Sequence, residues 1–381
     1  MLTKTDILFF VEDPGAANYM AELPKLLRQQ DITSIVLADG KAVTFLRERG
    51  VEVESVQTGV RAEEIVDRYQ PKLLSIGTSQ NADSLGLSLI DCSRAKGIPT
   101  VGMIDMEVDA ELRFRGKSKS ALTHAPDWLL VPDESTKRTF EKLGYPGQQI
   151  KICGNPNYDR VRQAAEMFNR QDREKLKRRL LPEASLEGRP IVVFVSEHVD
   201  GREYEVMHRS PQYTLYGRGD NDSRTAIVLE EILDALSDLD PKPYLVIRLH
   251  PKNRREEFNN YLEEVDFFSV GGDPLELIWI ADLVVGMTSM LMMEAVVLGK
   301  QTLAVLPRIS EKSWSPDTAN ELTPCVTTRQ ELRGVLNILL HKAPDKISKT
   351  STKIIYGASE RVSHFLVEKI KNMGESHKEL R

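Results

Sequence analysis

Short apolar runs alternate with amphipathic stretches along most of the chain. Ile7–Val11 is wholly apolar and predicts a buried strand; Ala16–Gln29, after it, places Met20, Leu23, Leu26 and Leu27 on one face of a helix. Ser34–Leu37 predicts a second strand and Lys41–Arg49 a helix closed by Gly50. Strands are expected at Lys72–Ile76, Thr100–Ile104 and Trp128–Val131. Helices over Ser84–Lys96 and Asp133–Leu143 are each stopped by a glycine with a proline soon after. This alternation implies parallel strands joined by right-handed crossovers.

The pattern restarts at Ile191–Val195 and continues through strands at Tyr244–Leu249, Leu283–Val285 and Thr302–Leu306. Helices are predicted over Thr225–Leu236, Arg254–Glu264 and Met290–Leu298. Between the halves, dense charge gives way to Pro182, Gly188 and Pro190, which places a linker near Leu181–Pro190. The expected fold is α/β, with two doubly wound, Rossmann-like domains facing a cleft. The first spans residues 1–181 and the second 190–358. Residues 359–381 add a helix carrying Val362, Phe365, Leu366 and Ile370, with the option of packing back on the first domain, and a polar tail after Gly374. A chain of 381 residues is long enough for two such cores.

Composition narrows the class. With 41% hydrophobic and 28% charged residues the chain is neither disordered nor fibrous. A net charge of −6 argues against a nucleic-acid binder. Two basic clusters, Arg113, Arg115, Lys117 and Lys119, then Lys175, Lys177, Arg178 and Arg179, read first as solvated faces; peripheral membrane contact stays open beside that. Cys92, Cys153 and Cys325 lack the spacing of a disulfide framework or a zinc site. The first apolar run is too short for a signal segment, and Ala281–Pro307 is interrupted by Asp282, Glu294 and Lys300. A cytoplasmic location is expected.

Ligands of open α/β sheets settle beyond the carboxyl ends of strands, so those loops carry the candidate chemistry. After Val285, Gly286 permits a tight turn, and Thr288 and Ser289 open a helix whose N–H groups and dipole suit a phosphate; Glu294, further along, has two oxygens for vicinal hydroxyls of a ribose. The competing reading makes Thr288 or Ser289 a plain N-cap and Glu294 a surface charge. Tyr244–Leu249 delivers Arg248, His250 and Lys252 at alternate positions, a pattern that suits a diphosphate. Gly154 and Asn155 sit in a Gly-Asn-Pro turn that serves either ligand contact or a hinge. A lone Gly15 falls far short of a dinucleotide fingerprint.

Three segments, Gly154-Asn-Pro-Asn-Tyr-Asp159, Arg248-Leu-His-Pro-Lys-Asn253 and the stretch Gly286–Lys300, occur in the order seen in GT-B enzymes. They resemble the UDP-N-acetylglucosamine 2-epimerases and the capsule, sialyl- and teichoic-acid-type transferases. The resemblance implies that His250 contacts donor phosphate, Thr288 and Ser289 the phosphates and Glu294 the ribose. It also implies a nucleotide-sugar partner of UDP, CDP or CMP type. The epimerase pattern has a Gly-Gly pair ahead of its glutamate where this chain has Met290-Leu291. The sequence is therefore read as a metal-independent glycosyltransferase of polysaccharide biosynthesis, with no cofactor and with a glycan or small-molecule acceptor. The alternatives are a nucleotide-sugar 2-epimerase or hydrolase, and a GT-B-shaped binding protein without catalysis.

Transfer to a hydroxyl needs a base. Asp13 and Glu12, in the first strand-to-helix loop, are the expected catalytic carboxylates, with Asp105, Glu107 and His124 behind them. Ser196, Glu197 and His198 begin a long polar stretch reaching Ser223, expected to be a mobile loop that folds over the donor with those three residues near its phosphates. A homodimer stays open.

Overall fold

A computed structural model describes residues 4–181, 186, 188–198, 207–341 and 354–379. The chain divides into two compact units, one of residues up to Arg160 together with those from Ile355 onward, the other of Val161–Ile354.

The first unit holds a seven-stranded, all-parallel sheet. Its strands are β1 (Ile7–Val11), β2 (Ser34–Ala38), β3 (Glu54–Ser55), β4 (Leu73–Gly77), β5 (Thr100–Met103), β6 (Trp128–Val131) and β7 (Ile150–Ile152), in the order β3-β2-β1-β4-β5-β6-β7. Both faces are covered, so the strands read as unbroken apolar runs. Alternate residues serve the two cores. Ile7, Phe9 and Val11 meet the helices Pro14–Met20, Leu23–Arg28 and Ala358–Glu379, whereas Leu8 and Phe10 join the core of Ala62–Tyr69, Leu85–Ala95 and Glu134–Lys142.

The second unit repeats the plan with β8 (Ile191–Val195), β9 (Tyr244–Arg248), β10 (Phe267–Ser269), β11 (Leu283–Gly286), β12 (Gln301–Val305) and β13 (Cys325–Val326), ordered β10-β9-β8-β11-β12-β13. Val192 and Phe194 face the helices Arg224–Ser237 and Arg329–His341; Ile191, Val193 and Val195 face Leu275–Ile280 and Met290–Val297. Each sheet reverses its strand order once, between β1 and β4 and between β8 and β11. Those reversals are the switch points at which such sheets bind ligands.

The structure departs from the sequence reading in five places. The expected helix Ala16–Gln29 breaks into Pro14–Met20 and Leu23–Arg28, because Pro24 has no N–H and its ring crowds the carbonyl four residues back. Arg254–Glu264 forms only a 3-10 turn, Arg255–Tyr261. The unit boundary lies within the helix Pro156–Phe168 rather than at residues 181–190, since Val161, Phe168, Leu176 and Leu181 all enter the second unit's core. The charged stretch before the expected linker is a helix, Arg173–Leu180, with Arg173 bound to Asp282 and Arg179 to Glu276.

The fifth departure concerns the expected mobile loop. Residues 199–206 lie outside the described residues, but 207–222 are tied down. Tyr213 and Leu215 are buried, Glu231 accepts the N–H groups of Tyr216 and Gly217, and Glu230 accepts that of Arg218 at 2.7 Å. Arg329 holds the other side of Glu231 at 2.7 Å. Carboxylates from the helix Arg224–Ser237 thus satisfy the backbone of this segment, a partnership with no local signal along the chain.

The C-terminal helix, Ala358–Glu379, belongs to the first unit. Val362, Phe365, Leu366 and Ile370 enter the core with β1, and Asp159 caps its start by accepting the N–H groups of Gly357 (2.7 Å) and Ser359 (2.8 Å). Gly154 makes that docking feasible. Its φ is +84°, and a Cβ there would lie 2.4 Å from the Ile355 carbonyl oxygen. Gly154→Ala is therefore expected to cost on the order of 3 kcal/mol, combining backbone strain with a clash. The control Gly50→Ala, at a positive φ with open space around it, should cost about 1 kcal/mol. Urea denaturation of both variants checks this; equal losses would show that the Ile355 contact is unimportant.

Candidate functional site

At the first unit's switch point, Glu12 follows β1 and Ser79 lies just beyond β4, and the Ser79 hydroxyl donates to Glu12 Oε1. Burial raises the Glu12 pKa; hydrogen bonds from Ser79, Ser84 and Asn81 partly offset this, and Asp39 adds to the rise. The net result is a half-buried carboxyl that keeps its proton to higher pH than usual. Asp13 behaves differently. It is exposed and serves as N-cap of Pro14–Met20, accepting the Gly15 N–H at 2.7 Å.

Asp105, beyond β5, is buried and paired with Arg113 at 2.9 Å; that guanidinium also donates to Thr78 Oγ1 at 2.8 Å and to the Val108 carbonyl. Asp105 Oδ2 would lie 2.6 Å from a Cβ at position 15, so Gly15 is the residue that admits this carboxylate beside the helix start. Arg113 thus leaves the first basic cluster for the interior. Glu107 accepts from Thr136 Oγ1 at 3.3 Å, and His124 pairs with Asp91 at 2.6 Å on the helix Leu85–Ala95.

The second unit's switch point is closed in the same manner. Glu197 follows β8 and Thr288 follows β11. The Glu197 carboxylate accepts both the Thr288 N–H and, at 2.9 Å, its hydroxyl. Behind Glu197 runs a buried ladder of charge. Arg224 donates to Glu197 Oε2 at 2.9 Å and to Glu311 Oε2 at 2.7 Å, and Arg308 donates to Glu311 Oε1 at 2.7 Å. Arg224 is 1% exposed and Glu311 0%. The Trp314 ring lies against both guanidiniums and the Tyr213 ring against that of Arg308. Burial lowers the Arg224 pKa, but Glu197 and Glu311 outweigh it and leave the group firmly charged.

Ser289 is the N-cap of Met290–Val297, its Oγ accepting the Leu291 N–H at 3.2 Å. Among the described residues, the N–H groups of Ser289 and Met290 have no protein acceptor. Two donors at the positive end of a helix dipole therefore stay available to an anion. Glu294 is buried within the same helix.

Beside them, Ser196 Oγ accepts the His250 N–H at 2.9 Å and lies 2.9 Å from Asn253 Oδ1, joining the loops after β8 and β9. His250 Nδ1 accepts the Lys252 N–H at 3.2 Å, which leaves Nε2 to carry the ring proton in the neutral form. The exposed His198 ring stacks on that of His250, with centroids 6.2 Å apart. Arg248, expected alongside His250 and Lys252, turns its guanidinium to the carbonyls of Gly271 and Gly272 and to Ser269 Oγ at 3.0 Å. In the first unit, Gly154 lies against the C-terminal segment, and buried Asn155 accepts the Asn157 N–H at 3.0 Å.

Sequence reasoning passed over Arg224, Arg308, Glu311 and Ser79. One signal was available: an arginine directly after the N-cap Ser223 opposes the helix dipole and needs an anion to hold it there. Among the described residues no cluster of His, Cys, Asp and Glu has a metal-binding arrangement, and no helix is long and apolar enough to cross a membrane.

No family model matches the chain, and no curated protein matches it by sequence. Solved structures do match. UDP-GlcNAc 2-epimerase from Neisseria meningitidis, bound to UDP-GlcNAc, superposes with a TM-score of 0.65 at 13% identity, covering 96% of this chain and 100% of its own. The Methanocaldococcus jannaschii enzyme, with UDP-GlcNAc and UDP, gives 0.67 at 13% identity over the same shares. Anabaena HepE, with UDP and glucose, gives 0.58 at 14% identity, covering 98% of this chain and 99% of its own. The likeness is one of fold. The structures that align along nearly the whole chain include a series of UDP-GlcNAc 2-epimerases, which corrects the expectation of a transferase.

Glu12 yields a direct test. Its pKa is raised on folding, so the stability it contributes is present below the ordinary carboxyl range and is lost as pH rises through the folded pKa. Ser79→Ala removes a bond that favours the charged form and should raise the Glu12 pKa further, measured by carbon-13 NMR of the carboxyl. A fall, or no change, would show that Ser79 does not control this group.

Proposed function

We propose that this protein binds a UDP-type nucleotide sugar and acts on the sugar without an acceptor, as a 2-epimerase or hydrolase. The observation carrying this reading is the alignment of UDP-GlcNAc 2-epimerases over 96% of this chain and the whole of theirs. Local chemistry supports it. The Ser289 and Met290 N–H groups and His250 Nε2 are donors of the kind a leaving diphosphate needs, at a strand end where such ligands bind.

Epimerisation at C2 breaks and remakes a C–H bond, so it needs a group that takes a proton and one that returns it. Glu12 has the raised pKa suited to that exchange. Met290 and Leu291, where the epimerase pattern has Gly-Gly, put bulk beside the free N–H groups, so the sugar accepted need not be GlcNAc.

The test is incubation with UDP-GlcNAc and a panel of UDP-hexoses in deuterated water. The expected outcome is acceptor-free formation of the C2 epimer, or release of UDP, with deuterium entering at C2 during epimerisation. Glu12→Gln should lower the rate by about 100-fold or more, and His250→Ala should reduce the thermal stabilisation given by UDP. Absence of UDP binding, or turnover only with an added hydroxyl acceptor, would falsify the reading.

A further inference from the structure

Glu197 presents a problem of charge. Its carboxylate sits on the Thr288 N–H and hydroxyl, directly before the Ser289 and Met290 N–H groups on which the proposed phosphate would rest. Left bare, that carboxylate would repel the ligand through a poorly screened interior. Arg224 faces it at 2.9 Å, fully buried, while its other edge is held at 2.7 Å by Glu311, itself fixed by Arg308.

Resting on the functional reading above, we infer that Arg224 is a positioning residue for nucleotide binding. It neutralises Glu197 and fixes the orientation in which one carboxylate pins Thr288, so that a phosphate can approach the next two N–H groups without facing an unmatched carboxylate. Arg224 touches no ligand in this scheme. Glu311 and Arg308 supply the opposite half of the ladder and anchor Arg224 from behind. A scaffold role alone would make any break in the ladder equally harmful; charge compensation makes the damage specific to Glu197.

That difference sets the experiment. UDP affinity is measured by calorimetry at mildly alkaline pH for wild type, Arg224→Met, and the pairs Arg224→Met/Glu197→Gln and Arg224→Met/Glu311→Gln. Arg224→Met should weaken UDP binding about tenfold or more. Glu197→Gln should restore most of the loss and Glu311→Gln should not. Wild-type affinity in Arg224→Met, or equal rescue by the two glutamines, overturns the inference.

Amide hydrogen exchange across Gly286–Met290 in the ligand-free protein reads the same network without a nucleotide. Should Arg224→Met not fold, Arg224→Lys replaces it, with a few-fold weakening and faster exchange at Thr288 expected; wild-type values for both overturn the inference. If wild type binds no UDP, the functional reading fails on its own. The exchange comparison then still decides whether Arg224 holds the turn, and unchanged exchange overturns that too.

Discussion

A guanidinium sealed from solvent has to be matched by anions, and in the second unit that requirement organises three of the loops at the carboxyl end of the sheet. Arg224 draws Glu197 from the loop after β8 and Glu311 from the turn after β12, and Glu197 in turn fixes Thr288 after β11. Three loops far apart in sequence are held in one arrangement by a few charge-assisted bonds. Removing one member of such a buried pair costs on the order of 3–5 kcal/mol, because the charge left behind has no water to turn to.

The two units solve the same problem with different chemistry. Each has the strand order of a doubly wound sheet, and each closes its switch point with a carboxylate after the first strand and a hydroxyl after the fourth. A glycine ends both fourth strands: a Cβ on Gly77 would lie 2.5 Å from that of Ala16, and one on Gly286 2.8 Å from Met292 Sδ. The difference lies behind the carboxylate. Glu197 is matched by a buried arginine, whereas Glu12 is surrounded by hydroxyls, an amide and a further carboxylate and holds its proton longer. One carboxylate is matched in charge; the other stays neutral to higher pH than an ordinary carboxyl.

The basic residues follow a related logic. Arg248, Arg113, Arg173 and Arg179 all have protein partners, so the basic clusters and the Arg-x-His-x-Lys pattern contribute less free positive charge than their sequence suggests. For the proposed phosphate this leaves the neutral N–H groups of Ser289 and Met290. Binding through such groups depends on their placement more than on bulk charge, which is why the supporting ladder matters.

Apolar runs and their spacing were enough to determine the strands from β1 to β12 except the short edges, the restart of the pattern at Ile191, and the doubly wound α/β plan, because burial on both faces demands continuous hydrophobic strands. The placement of Glu12, Glu197, Thr288 and His250 just beyond strand ends was legible from the apolar runs before them. What the sequence could not decide was partnership. Nothing local pairs Arg224 with Glu311, eighty-seven positions on, turns Arg248 toward Gly271 and Gly272, or ties residues 207–222 to Glu230 and Glu231. Nor does it place the unit boundary within a helix. Those outcomes depend on which charged groups the folded chain deprives of water, and only the tertiary structure sets that.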